Sequence, residues 1–157
     1  NSILFLNEYK KNIITTWAIA ESSEDLAEKI TSIIDLSKQN SIVEFWSWTW
    51  VFTKKILEKK WKDSIFFSIE INKFFAEKSK KNCPNAIIYN DDANNIKKYL
   101  EKHNLKRTNC IISWLPWTCF DKKTQKDLIE NIFNSLEEWW FFLTFSYIQS
   151  KVLPTWK

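Results

Sequence analysis

The residues with the clearest chemical meaning lie between Ser41 and Leu57. Glu44 sits near the end of a short apolar run, Trp46, Trp48 and Trp50 follow at alternate positions around Ser47 and Thr49, and an amphipathic segment begins directly after them. A turn between a strand and a helix is where α/β proteins hold nucleotide cofactors, because helix N-terminal amides and a closely approaching backbone meet the ligand there. Such a turn needs positive φ and no Cβ, and glycine supplies both. This chain of 157 residues has ten tryptophans and no glycine, where an average composition of about 7% would give roughly eleven glycines. Tryptophan stands where glycine is required. The simplest account is that UGA codons, read as glycine in the source cell, are rendered as tryptophan by the standard code. Read literally, three indoles fill the cofactor's space, and the chain is at most an inactive scaffold.

With glycine at 46, 48 and 50 the stretch becomes E-F-G-S-G-T-G-V-F-T. It then resembles the first motif, E/D-x-G-x-G-x-G, of the class I S-adenosylmethionine-dependent methyltransferases. A dinucleotide oxidoreductase would use G-x-G-x-x-G and would put its third glycine at Val51, so the spacing favours the methyltransferase. The resemblance implies a cofactor site built from Glu44, Trp46, Ser47, Trp48 and Trp50. It extends to Glu70 and the following Ile71 at the next strand tip, where the acid accepts hydrogen bonds from both ribose hydroxyls. In Asn90-Asp91-Asp92-Ala93 it implies an acid and a backbone amide that read adenine. Asp92 is the better match and Asp91 its rival, and either acid also suits the N-terminus of a helix.

Ile111-Ile112-Ser113-Trp114-Leu115-Pro116-Trp117 becomes I-I-S-G-L-P-W when position 114 is glycine. The rRNA adenine dimethyltransferases carry an amide or acid at the place of Ser113. The S-G-L-P-W form is instead similar to bacterial phospholipid N-methyltransferases, which implies that Ser113, Leu115, Pro116 and Trp117 line the reacting centre, with Ser113 also touching the cofactor. Trp117 is the one tryptophan expected to be genuine, since an aromatic belongs there. Thr15–Ser23 resembles the family's T-x-G-A-I-x-P-S-S segment, with Glu21 in place of proline, and Glu137–Tyr147 becomes E-E-G-G-F-F-L-T-F-S-Y.

The elements that must position these residues alternate. Strands are expected near 41–45, 64–70, 86–89, 108–113 and 140–147, and helices near 50–60, 72–82, 93–103 and 121–136. A helix over 2–12 and another over 24–34 precede them; Ser22 or Ser23 caps the latter, and Leu26, Ile30, Ile33 and Ile34 share its face. Alternation implies a mostly parallel central sheet with helices on both faces, a Rossmann-like α/β fold in a single domain over 1–157, with 1–23 as N-terminal helix and cofactor-covering segment. The chain starts at Asn1 and stops at Lys157 soon after the fifth strand. It is read as a fragment that lacks the C-terminal strand pair of the full fold.

Composition sets outer limits. The 23 basic and 19 acidic side chains give a net charge of +4, compatible with an anionic partner without demanding one. Cys83, Cys110 and Cys119 lack the paired spacing of a zinc site or a disulfide framework and read as reduced thiols. No apolar run approaches the ~20 residues that span a bilayer, so the expected location is cytoplasmic, with a possible peripheral contact. The run Ile3-Leu4-Phe5-Leu6 with Tyr9, Lys10 and Lys11 is a candidate for such contact with an anionic membrane.

The implied chemistry is in-line methyl transfer from S-adenosylmethionine to an amine, the phosphatidylethanolamine headgroup first and an RNA adenine second. No metal is required. Tyr147 and Asp92 are candidates to accept the amine's proton, and the faces of Trp117 and Tyr147 suit a methylated ammonium. His103 is assigned no catalytic role.

Overall fold

The computed structural model describes residues 19–45, 50–117 and 120–144, with no side chain described for 19–23. Helix α1 (Ile19–Thr31) leads into β1 (Ser41–Phe45), α2 (Trp50–Lys59), β2 (Ile65–Ile69), α3 (Lys73–Asn82), β3 (Ile87–Tyr89), α4 (Ile96–Lys102), β4 (Thr108–Ser113), α5 (Lys122–Asn134) and β5 (Leu136–Thr144). The strands form one sheet in the order β3-β2-β1-β4-β5, and every pair is parallel. Parallel neighbours need a crossover, and each helix between strands supplies one.

Strands covered on both faces read as continuous apolar runs. Accordingly all five residues of β1 are buried, and alternate side chains serve opposite faces. Val43 and Phe45 join Phe67, Ile69 and Ile111 under α4 and α5, where Ile96, Leu100, Leu128 and Ile132 close the larger core. Ile42 joins Phe66, Cys110 and Ile112 on the other face, against Ile56 of α2 and Ile34 and Leu36 of the connection after α1. Fully buried side chains such as Phe45 and Phe67 each contribute about 1.5–3 kcal/mol.

Local signals set the helix ends. Asn72 accepts from the Phe74 amide at 3.0 Å and Asp121 from the Thr124 amide at 2.8 Å, each satisfying a donor that the first helical turn leaves open. Helix α4 ends with Leu105 N–H donating to Leu100 O and Asn104 N–H donating to Glu101 O, both at 2.9 Å. That closure requires a left-handed residue, usually glycine. Asn104 takes it at φ 57, the only positive φ among the described residues.

Three expectations are corrected. Helix α1 begins at Ile19, so Ser22 and Ser23 lie inside its first turns rather than capping it. It ends at Thr31, whose hydroxyl donates back to Ala27 O, and this leaves Ile33 exposed outside the helix while Ile34 reaches the core. Strand β5 starts at Leu136 rather than 140, because the chain pairs Thr108 with Leu136 and then resumes pairing at Cys110 with Phe141, so that 137–140 bulge outward. The expected helix over 2–12 lies outside the described residues.

Asn104→Ala is expected to lower stability by about 1 kcal/mol, because a Cβ without a polar side chain disfavours the left-handed region. Asn104→Gly should match or exceed the parent. Urea unfolding of the three proteins checks this.

Candidate functional site

Strand order reverses between β1 and β4, and the crevice this opens at the carboxyl edge is where such sheets take ligands. The backbone closes behind it: Trp114 N–H donates to Phe45 O at 3.1 Å, which ties the loop after β4 to the end of β1. Trp46, Ser47 and Trp48 lie outside the described residues. Trp50 opens α2.

Glu44 is fully buried. Its Oε2 accepts from Thr53 Oγ1 at 2.7 Å and its Oε1 from Trp114 Nε1 at 3.1 Å, while the Trp114 ring stacks on Phe52 with centroids 3.7 Å apart. Burial pushes the carboxyl up from its ordinary 4.5 to about 7, against the hydrogen bonds from Thr53 and Trp114. Thr53 is a site residue that motif reading missed. One turn into α2, it faces back to the strand the helix follows, a signal available only once the helix start is fixed.

Glu70 is buried at the tip of β2, where its Oε1 accepts from the Asn72 amide at 2.7 Å. The turn after β3 holds it in place. Glu70 N–H donates to Tyr89 O at 2.9 Å, and Asn90 Nδ2 donates to the carbonyls of Glu70 and Ile71 at 2.8 and 2.9 Å. Asn90 is a second residue missed, because its amide acts on a backbone twenty positions earlier.

The two acids that follow have structural work. Asp91 accepts from Tyr99 Oη at 2.6 Å, Lys98 Nζ at 2.9 Å, and Asn95 Nδ2 and the Asp92 amide at 2.8 Å. These donors, the Tyr99 hydroxyl foremost and then Lys98, hold its carboxyl well below the usual range. Asp92 caps the 3₁₀ turn Ala93–Asn95 by accepting from the Asn94 amide at 2.8 Å. Both acids thus shape the turn that carries Ala93.

Ser113 is buried at the end of β4, and its Oγ accepts from the Leu115 amide at 3.4 Å. Leu115 packs into the larger core and Pro116 is half-buried. Trp117 is clamped: Nε1 donates to Thr144 Oγ1 of β5 at 2.6 Å, Gln125 Nε2 donates to its carbonyl at 2.9 Å, and its ring meets Phe120 and Phe142 edge-on. Tyr147 lies outside the described residues. Among the described residues no cluster of His, Cys, Asp or Glu could hold a metal. None of the described helices is long and apolar enough to cross a membrane. The edge therefore brings together Glu44, Glu70, the 91–93 turn and the 113–117 loop, an arrangement suited to holding and orienting a polar ligand.

A group whose carboxyl sits higher in the folded chain than in the unfolded chain binds more protons when folded between the two values. Stability from Glu44 is therefore greatest below about 4.5 and falls as pH rises to about 7. Glu44→Gln should remove this slope and gain relative to the parent at pH 8, by on the order of a few kcal/mol at most. Urea midpoints at pH 5 and pH 8 check it.

No protein-family model matches the sequence, and neither does any curated protein. Solved structures do match its fold. The mitomycin 7-O-methyltransferase MmcR superimposes with a TM-score of 0.69 over 97% of this chain and 46% of its own, at 10% identity. DesVI of Streptomyces venezuelae gives 0.60 over 88% and 56%, at 11% identity. The plantazolicin methyltransferase BamL, solved with SAH, gives 0.58 over 83% and 47%, at 16% identity. The chain spans about half the length of these proteins, and what it shares with them is the Rossmann-like fold of class I methyltransferases.

Proposed function

We propose that this chain, with glycine at the turn positions where tryptophan is written, is an S-adenosylmethionine-dependent N-methyltransferase whose acceptor is the amine of a phosphatidylethanolamine headgroup at the cytoplasmic face of a membrane. The observation that carries the reading is the buried Glu70 carboxyl at the tip of β2, which accepts from the Asn72 amide while Asn90, in the turn after β3, holds its backbone. A carboxylate there suits paired ribose hydroxyls, and Ile71 and the 91–93 turn flank an adenine.

The residues fit that cofactor with one reservation of space. The Trp114 indole fills the gap between Phe52 and Glu44, and glycine at 114 would open it. Backbone dihedrals do not require glycine at Trp50, Trp61, Trp114, Trp139 or Trp140, since Asn104 alone has positive φ among the described residues. Support for recoding is therefore compositional and spatial. Trp139 is 88% exposed in the β5 bulge and Trp61 49% exposed after α2, indoles that bury little. Trp117 differs from these two, as Trp114 does: each has a partner for its N–H and packed neighbours for its ring, and it is the motif position that keeps 117 aromatic.

The cofactor supplies an electrophilic methyl group. The chain's task is orientation and exclusion of water, which account for most of the rate in such a displacement. Glu70 and the 91–93 turn fix the nucleoside, Glu44 offers a buried acceptor near its polar end, and the rigid Ser113–Trp117 loop sets the acceptor amine. The Trp117 face, with Tyr147, suits the methylated ammonium that the transfer produces.

Codons decide the recoding: UGA at 46, 48, 50 and 114 with UGG at 117 is expected, and UGG throughout would contradict it. For the activity, labelled methyl should pass from S-adenosylmethionine to phosphatidylethanolamine. Glu70→Ala should weaken cofactor binding by about a hundredfold, the worth of two charge-assisted hydrogen bonds. Transfer to RNA adenine with none to lipid would overturn the choice of acceptor.

A further inference from the structure

Helices α2 and α3 pack side by side on one face of the sheet, with the Cys83 thiol just past α3 donating to Trp50 O at the start of α2. Together they carry seven lysines and two glutamates, a net +5 against +4 for the whole chain. Lys55 and Lys59 are partly neutralised by Glu28 of α1. On α3 the charge is freer, since among the described residues Lys73 is the only one of its four lysines with a carboxylate partner, Glu77 at 3.9 Å. Beside those lysines the surface is apolar: Phe74, in the first turn of α3, is 62% exposed, and Ile71, in the turn just before it, is 45% exposed. Lys78 Nζ lies 6.0 Å from the Phe74 ring centre, so charge and ring share one surface.

We propose that the exposed side of α3 and the adjoining Glu70–Asn72 turn form an interfacial docking surface for an anionic phospholipid membrane, with the apolar side chains at its first turn and lysines along its length. Phe74 and Ile71 enter the headgroup layer, and Lys73, Lys78, Lys80 and Lys81 lie against lipid phosphates. An exposed aromatic and an exposed aliphatic side chain gain by leaving water for the acyl boundary, while lysines at that depth are drawn to the negative surface potential. Nucleic acid fits less well. Neither helix carries an arginine, whose planar fork grips phosphate in two bonds and stacks on bases, and Ile71 offers no stacking face. The placement also has a functional sense that rests on the phospholipid reading above: Ile71 directly follows Glu70, so a bilayer held here lies at the carboxyl edge where the headgroup must enter.

The test is flotation of the purified protein with vesicles of phosphatidylcholine alone or with added phosphatidylglycerol, at low and high salt. Binding to the phosphatidylglycerol vesicles that falls with salt is expected. Phe74→Ser should weaken it, and Lys73→Gln with Lys81→Gln should weaken it by about fivefold per lysine removed. Urea unfolding of each variant verifies that it is folded. Equal binding by parent and variants, or capture of a labelled RNA in place of vesicles, overturns the surface. Methyl transfer to phosphatidylethanolamine in neutral detergent micelles is measured in parallel. Its absence there counts against the substrate reading, while flotation alone decides the surface.

Discussion

Strand β1 pairs on one side with β2, which follows it in the chain, and on the other with β4, which the chain reaches only after crossing back over the sheet. Everything with chemical potential in this protein hangs from the edge that this reversal opens. The pairing is in register from Ser41 to Phe45 on one side and from Ile42 to Phe45 on the other, so the ends of β1, β2 and β4 are level. Level ends put Glu44, Glu70 and Ser113 within one narrow zone. A slip of one residue would turn Glu44 into the core under α4 and α5, where Val43 and Phe45 now pack.

A second constraint is electrostatic. Glu44 occupies a fully buried position in the middle of the sheet, where a charged carboxylate is unfavourable unless donors surround it. Thr53 from α2 and Trp114 from the β4 loop provide two. The same contacts fasten the helix and the loop to the strand, which couples the shape of the crevice to the protonation of one side chain. If residue 114 is glycine in the living cell, one donor is missing and a ligand's polar group has room to replace it.

Much of the architecture was legible in the sequence. Central strands announce themselves through doubly buried runs such as Ser41–Phe45 and Thr108–Ser113, and both fall where periodicity put them. The start of α1 and the course of β5 were not legible, because each turns on tertiary context. Ser22 and Ser23 are good caps that a longer helix overrides, and Trp139-Trp140, at the expected start of the fifth strand, lies instead in a bulge of a strand that begins at Leu136. Glu44, Glu70 and Ser113, singled out by motif spacing, lie at the carboxyl ends of their strands, yet spacing could not show that Asp91 and Asp92 use their carboxylates on the turn itself. Thr53, Asn90 and Gln125 escaped because their roles are contacts across the fold, which no local pattern encodes.

The central claim is that the crevice at the end of β1 takes S-adenosylmethionine when the turn residues are glycine. Calorimetric titration of S-adenosylmethionine into two versions of the chain tests it most directly, one with glycine at every tryptophan position except 117 and one with tryptophan throughout. Saturable binding to the glycine version and none to the tryptophan version is the predicted result. Equal binding by both, or binding by neither while both are folded, would contradict it.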